Sequence, residues 1–107
     1  MAKRGEVFLA KAELADAKQP LLLPVIILSD ENYSASGYVL GVPITTGKGG
    51  HGLPIKEGDC DCELAPKSAA QPDCMLRLQS SQLVKRIGRV KDEFYWELAS
   101  KIRELIE

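Results

Sequence analysis

Two threonines, Thr45 and Thr46, lead into a glycine-rich loop, Gly47-Lys48-Gly49-Gly50-His51-Gly52. His51 is the only histidine of the chain, and imidazole is the side chain whose ordinary pKa suits acid–base work near neutrality. Lys48 adds a positive charge, and the amides of Gly47, Gly49 and Gly50 could face an anion. The loop lacks the glycine-lysine-serine/threonine ending of a phosphate-binding P-loop. A solvated hairpin tip accounts for the same residues, and paired threonines suit a strand end.

A second set of reactive side chains is Cys60, Cys62 and Cys74. With His51 they make four N/S donors, the number a structural zinc takes. The spacing argues against it: Cys60-Asp61-Cys62 is C-x-C, not the usual knuckle, and His51 and Cys74 stand alone. No metal is expected. An odd cysteine count also rules out a fully paired disulfide framework within one chain.

Charge is unevenly distributed, although the net charge is only −1. Glu57, Asp59, Asp61 and Glu63 form an acidic run, whereas Arg77, Lys85, Arg86, Arg89 and Lys91 fall where no acid intervenes between Asp73 and Asp92. There is no global basic field for nucleic acid, but a local anion site is compatible with separate faces. Tyr33 and Tyr38 are the loop-proximal aromatics available for stacking on a base. The start of the chain has no apolar signal-peptide core, and no run approaches membrane-spanning length, so a cytoplasmic protein is expected.

The elements that must hold these groups centre on residues 21–46. Pro24–Ser29 and Tyr38–Thr45 read as two buried strands joined by a polar loop, Asp30–Gly37. Gly5–Lys11 alternates as a first strand, and residues 12–19 form an irregular β1–β2 loop stopped by Pro20. Leu53–Lys56 is an edge strand by virtue of Pro54, and residues 58–73 read as a surface excursion. Cys74–Gln79 is strand-like, with Met75, Arg77 and Gln79 on one face and Leu76 and Leu78 on the other. Ser80–Lys85 reads as a helical turn and Arg86–Val90 as a last strand. A helix follows, with Asp92 as N-cap and Phe94, Tyr95, Leu98, Ile102, Leu105 and Ile106 at helical spacing. At 107 residues the expectation is one domain, residues 1–107, mainly β (α+β): a strongly bent antiparallel barrel with a C-terminal helix.

Four segments in this order resemble the MazF/PemK family of toxin–antitoxin ribonucleases: Lys3–Leu9, Pro24–Ser29, Val42–Thr46, and Leu76–Lys91 running into the helix. The resemblance implies an SH3-like barrel, usually a homodimer, that cuts single-stranded RNA without a metal or other cofactor and is inhibited by an antitoxin protein. The family's cleavage leaves a cyclic phosphate, which requires proton transfer at the 2′-hydroxyl and stabilisation of charge on the phosphate. Carried over residue by residue, the catalytic threonine is Thr45 and the strand-5 glutamine is Gln79. The family's arginine before the strand-2 proline is Leu23 here, its acid before the glutamine is Leu78, and its first-loop Glu-Gln is Lys18-Gln19. Losing one charge-stabilising group typically costs about 2.7–4 kcal/mol of transition-state stabilisation. Lys18 is the residue placed to supply a positive charge, so Thr45 and Lys18 are the candidate catalytic pair. Gln19, Thr46, Lys48, His51, Arg77 and Gln79 are candidate substrate-binding residues. The alternative is a catalytically inactive member of the fold that binds nucleic acid or protein.

Overall fold

The computed structural model describes residues 2–13, 19–46 and 52–106. Seven strands and a long helix are built in the order β1 Glu6–Ala12, β2 Leu21–Ile27, β3 Tyr38–Thr46, β4 Leu53–Pro54, β5 Ser68–Ala70, β6 Leu76–Gln79, β7 Leu83–Arg89 and α2 Asp92–Ile106, with a single turn of helix, α1 Glu31–Ser34, before β3. The antiparallel path is β4-β5-β3-β2-β1-β7, and β6 pairs with β3. β3 therefore has β2 on one edge, while β6 and then β5 share the other.

Alternation along β2 and β3 builds two cores. Ile26, Val42 and Ile44 face α2, where they meet Val7, Leu53, Val90, Phe94, Tyr95 and Leu98. Leu23, Val25, Ile27 and Val39 face the opposite way and join Ala10, Ala12 and Leu78. A strand buried on both faces is what a continuous Val/Ile run encodes. Of three consecutive helix aromatics, Phe94 and Tyr95 enter the core, whereas Trp96 stays 55% exposed. The Tyr95 hydroxyl donates to the Leu28 carbonyl oxygen at 2.6 Å, so its buried polar end is satisfied.

Several boundaries differ from the sequence expectation. β2 starts at Leu21, leaving Pro24 inside the strand. This is tolerated because pairing with β3 begins only at Val25, opposite Pro43, and proline costs least beside an unpaired edge. The Asp30–Gly37 loop contains α1, capped by Asp30, whose Oδ1 accepts from the Tyr33 amide at 2.9 Å. The excursion contains β5, whose Ser68 and Ala70 are small enough to be buried beside β3. The edge strand is confined to Leu53–Pro54. The turn after β6 is a 3-10 turn over Ser80–Gln82, and β7 begins at Leu83. Asp92 is the first helical residue, one position later than a cap.

The ends of the sheet path approach each other through residues 59–61. Cys60 stands opposite Val90. The Asp61 amide donates to the Arg89 carbonyl oxygen (3.1 Å) and the Lys91 amide to that of Asp59 (2.8 Å). This short seam ties residues 59–61 to the end of β7 without closing the sheet by a continuous ladder.

At the β1–β7 edge, Glu6 bonds Arg86 Nε and the Lys3 amide, both at 2.6 Å. Burial works to raise the Glu6 carboxyl. The Arg86 and Lys3 hydrogen bonds and charges outweigh it, leaving the pKa below its ordinary 4.5. A carboxyl lowered in the folded state contributes stability that is complete above its unfolded pKa and is lost as pH falls through the folded one. We expect the urea midpoint to drop as pH is taken below 4.5, and Glu6→Gln to flatten part of that drop. An unchanged pH slope in Glu6→Gln would contradict this assignment.

Candidate RNA-directed site

Thr45 closes β3, half-buried, on the face that Val39 and Pro43 share by alternation. It is placed opposite Ala69 of β5, and Thr46, exposed, opposite Ser68. The Thr45 hydroxyl oxygen accepts from Gln71 Nε2 at 3.0 Å. Gln71 is itself buried, with its amide donating to the Pro43 carbonyl oxygen at 3.0 Å. A hydroxyl whose oxygen is engaged by an amide donor keeps its own hydrogen for another acceptor, such as a phosphate oxygen. Gln71 escapes sequence reading, because a lone glutamine between alanine and proline carries no motif.

Arg77 projects from the exposed face of β6, across from Leu40. Its guanidinium lies 3.7 Å from the centre of the Tyr38 ring, and its Nε donates to the Tyr33 hydroxyl at 3.3 Å. These contacts hold a flat, charged donor group in one place, an arrangement suited to phosphate or base contact. Arg77 flanks a groove of about 430 Å³ that runs between Lys11 and Pro20 on one side and Leu76 and Leu78 on the other. Gln19, exposed, precedes Pro20 at the rim. Gln79 is committed locally: its backbone amide donates to Gln82 Oε1 at 2.8 Å and its Oε1 accepts from the Ser81 hydroxyl at 3.5 Å. It caps the turn between β6 and β7.

The groove and Thr45 are separate along β3. Leu40 and Thr45 are about 16 Å apart on an extended strand at ~3.3 Å per residue, so Arg77 and Thr45 could engage different nucleotides of one strand. Lys18, Lys48 and His51 lie outside the described residues.

The positions where the resemblance expects an arginine and an acid are linked by packing. Leu23 is 7% exposed and Leu78 is 3% exposed, and both belong to the core cluster beneath the groove. The β2–β3 register pairs Val25 with Pro43; continued by two residues, it would set Leu23 across from Thr45. Two buried leucines thus stand where the resemblance implies charged groups, and apolar side chains are what packed interiors tolerate or favour.

Cys60 and Cys62 are half-buried and Cys74 is exposed. The Cys62 amide donates to Cys60 Sγ at 3.4 Å. Burial first, then the hydrogen bond to Cys60, pushes the Cys62 thiol up to about 12. Such a thiol holds its proton unless a bound cation displaces it.

A strongly bent antiparallel sheet with a terminal helix defines the class, a small SH3-like barrel. The profile of PemK-like, MazF-like toxins of type II toxin–antitoxin systems matches residues 3–106, and the chain belongs to that family. No curated protein sequence matches it significantly. Among solved structures, an endoribonuclease from a mycobacterial species has a TM-score of 0.77 at 16% identity, covering 98% of this chain and 90% of its own. MazF from Deinococcus radiodurans has a TM-score of 0.76 at 17% identity, with 99% and 96% covered. A mycobacterial endoribonuclease in complex with its cognate antitoxin has a TM-score of 0.68 at 14% identity, with 99% and 95% covered. At these identities the likeness is one of fold. No described helix is long and apolar enough to cross a membrane.

An arginine introduced at Leu23 would enter an apolar cluster with no acid to pair with. Leu23→Arg is expected to lose roughly 3–5 kcal/mol in chemical denaturation, the cost of an uncompensated buried charge. The double variant Leu23→Arg, Leu78→Glu should recover part of that loss. Additive losses in the double-mutant cycle would show that the two positions do not communicate.

Proposed function

We propose that this one-domain protein is the toxin component of a type II toxin–antitoxin pair and acts in the cytoplasm on single-stranded RNA. The observation that carries the reading is the family match over residues 3–106, joined to a Thr45 hydroxyl that Gln71 engages and leaves free to donate. In this reading the RNA 2′-hydroxyl gives its proton to solvent as its oxygen attacks the adjacent phosphorus. The bond to the 5′-oxygen breaks, that oxygen takes a proton from solvent, and a cyclic phosphate remains. Thr45 donates to a phosphate oxygen, and Lys18 supplies the positive charge that an arginine brings elsewhere in the family. Arg77, Gln19 and Thr46 bind flanking nucleotides, with Lys48 and His51 contributing from the loop after β3. Gln79 serves by holding the turn beside Arg77.

Two partners accompany this reading. Relatives crystallised with an antitoxin support an antitoxin protein as inhibitor. A second copy of the chain is supported by the outer face of β2 and β7, where Leu22 is 60% and Val84 54% exposed.

The buried leucines at positions 23 and 78 favour one second reading, a member of the fold that binds RNA or an antitoxin without cutting. Purified protein incubated with mixed-sequence single-stranded RNA in EDTA separates the two. We expect cleavage with cyclic-phosphate ends, lowered about a hundred- to thousand-fold by Thr45→Ala and also lowered by Lys18→Ala. Intact RNA at high protein excess would overturn the ribonuclease reading, and an unchanged rate in Thr45→Ala would reject the site.

A further inference from the structure

We propose that Cys60, Asp61 and Cys62 form a binding site for a thiophilic d10 dication of the zinc class, seated on the seam between residues 59–61 and the end of β7. The two sulfurs and a carboxylate oxygen lie within 4.8 Å of one another. A tetrahedral ion with metal–sulfur bonds of about 2.3 Å and metal–oxygen bonds of about 2.0–2.2 Å brings such donors to within ~3.8 Å. Binding requires the donors to draw together by up to about 1 Å. The chain bends after Cys60, and the Cys62 amide reaches back to Cys60 Sγ at 3.4 Å. The bend lets three consecutive residues converge, which a straight strand with alternating side chains forbids.

The frame around the donors is built. Residues 59–61 are held to the end of β7 by the backbone pairing already described, and Lys91 Nζ adds an ion pair to Asp59 at 3.2 Å. Asp61 Oδ1 accepts from the Arg89 amide at 2.7 Å, which orients the carboxylate as supporting hydrogen bonds orient metal ligands. Gly88 supplies the room: a Cβ there would stand 2.5 Å from Asp61 Oδ1, 2.6 Å from Cys62 Cβ and 3.0 Å from Cys62 Sγ. The plain alternative is that both cysteines merely cover the core, against which they pack. Core cover does not account for two sulfurs and a carboxylate oxygen from three consecutive residues converging within 4.8 Å.

The site differs from the four-donor set that composition suggests. Cys74 is an exposed residue beyond β5, and the donors here come from one tripeptide with water completing the tetrahedron. Binding breaks two S–H bonds and forms two metal–sulfur bonds. Two protons pass to solvent and no electron changes hands. Because the seam exists only in the folded chain, the ion should stabilise the fold.

The test uses untagged, reduced, full-length protein. Zinc is titrated in competition with a chromogenic chelator, and cadmium by its sulfur-to-metal charge-transfer absorption. We expect about one ion per chain, release of two protons, and a higher melting temperature with zinc. Cys60→Ser and Cys62→Ser should each weaken binding at least tenfold, Asp61→Asn should weaken it less while keeping the hydrogen bond from Arg89, and Cys74→Ser should bind like the parent. Absence of charge-transfer absorption, or unchanged affinity in a folded Cys60→Ser or Cys62→Ser, would overturn the site. Should those variants fail to fold, unchanged affinity in Asp61→Asn, or loss of binding in Cys74→Ser, would overturn the three-donor set.

Discussion

At Gly41 the strand β3 is paired on both edges at once, to Ile27 of β2 and to Leu76 of β6. A Cβ at this position would stand 2.3 Å from Val25 Cγ1 and 3.2 Å from the Ile26 carbonyl oxygen, so no other residue fits without displacing β2. The rest of the barrel depends on this close approach. It brings β2 and β3 near enough for their alternating side chains to divide between two cores, one under α2 and one under the groove. Beyond it, β3 exchanges β6 for β5 on one edge, and the polar end that carries Thr45 emerges from the apolar interior.

That geometry separates fold from chemistry. The apolar half of β3 is paired, buried and insensitive to what the molecule does. The end at Thr45 is half-buried and held by a single side chain, Gln71. Leu23 and Leu78 lie in the core beneath the groove, at positions where the resemblance implies charged groups. A charged pair in this place would need each partner to neutralise the other, whereas two leucines need only volume. In the proposed function the phosphate-facing charge comes from elsewhere, the role given to Lys18.

The sequence was most legible where burial imposes a period. The Val/Ile run of β2, the length of β3 and the spacing of Phe94, Tyr95 and Leu98 on α2 all read correctly, because each follows from which side faces a core. It was least legible where tertiary contacts override local preference. Ser68–Ala70 has no β-branched residue, yet it pairs with β3 because only small side chains fit there. Pro24 looked like a strand boundary, but a proline is accommodated while one edge of β2 is unpaired. Gln71 carries no local signature, since its role depends on β3. The C-x-C tripeptide was visible, but the bend and the pairing to the end of β7 that bring its side chains together were not. Arg77 was visible as a basic residue, but its clamp between Tyr33 and Tyr38 was not.

The central claim is that single-stranded RNA is engaged along β3, from the Arg77 groove to Thr45. Backbone NMR of the labelled protein titrated with a 2′-O-methyl oligonucleotide, which cannot be cut by the proposed route, tests it most directly. The account predicts shifts concentrated at Tyr38, Thr45, Thr46, Gln71 and Arg77, with the exposed face of α2 unaffected. Shifts centred on α2 around Trp96, or no shifts at saturating oligonucleotide, would contradict it.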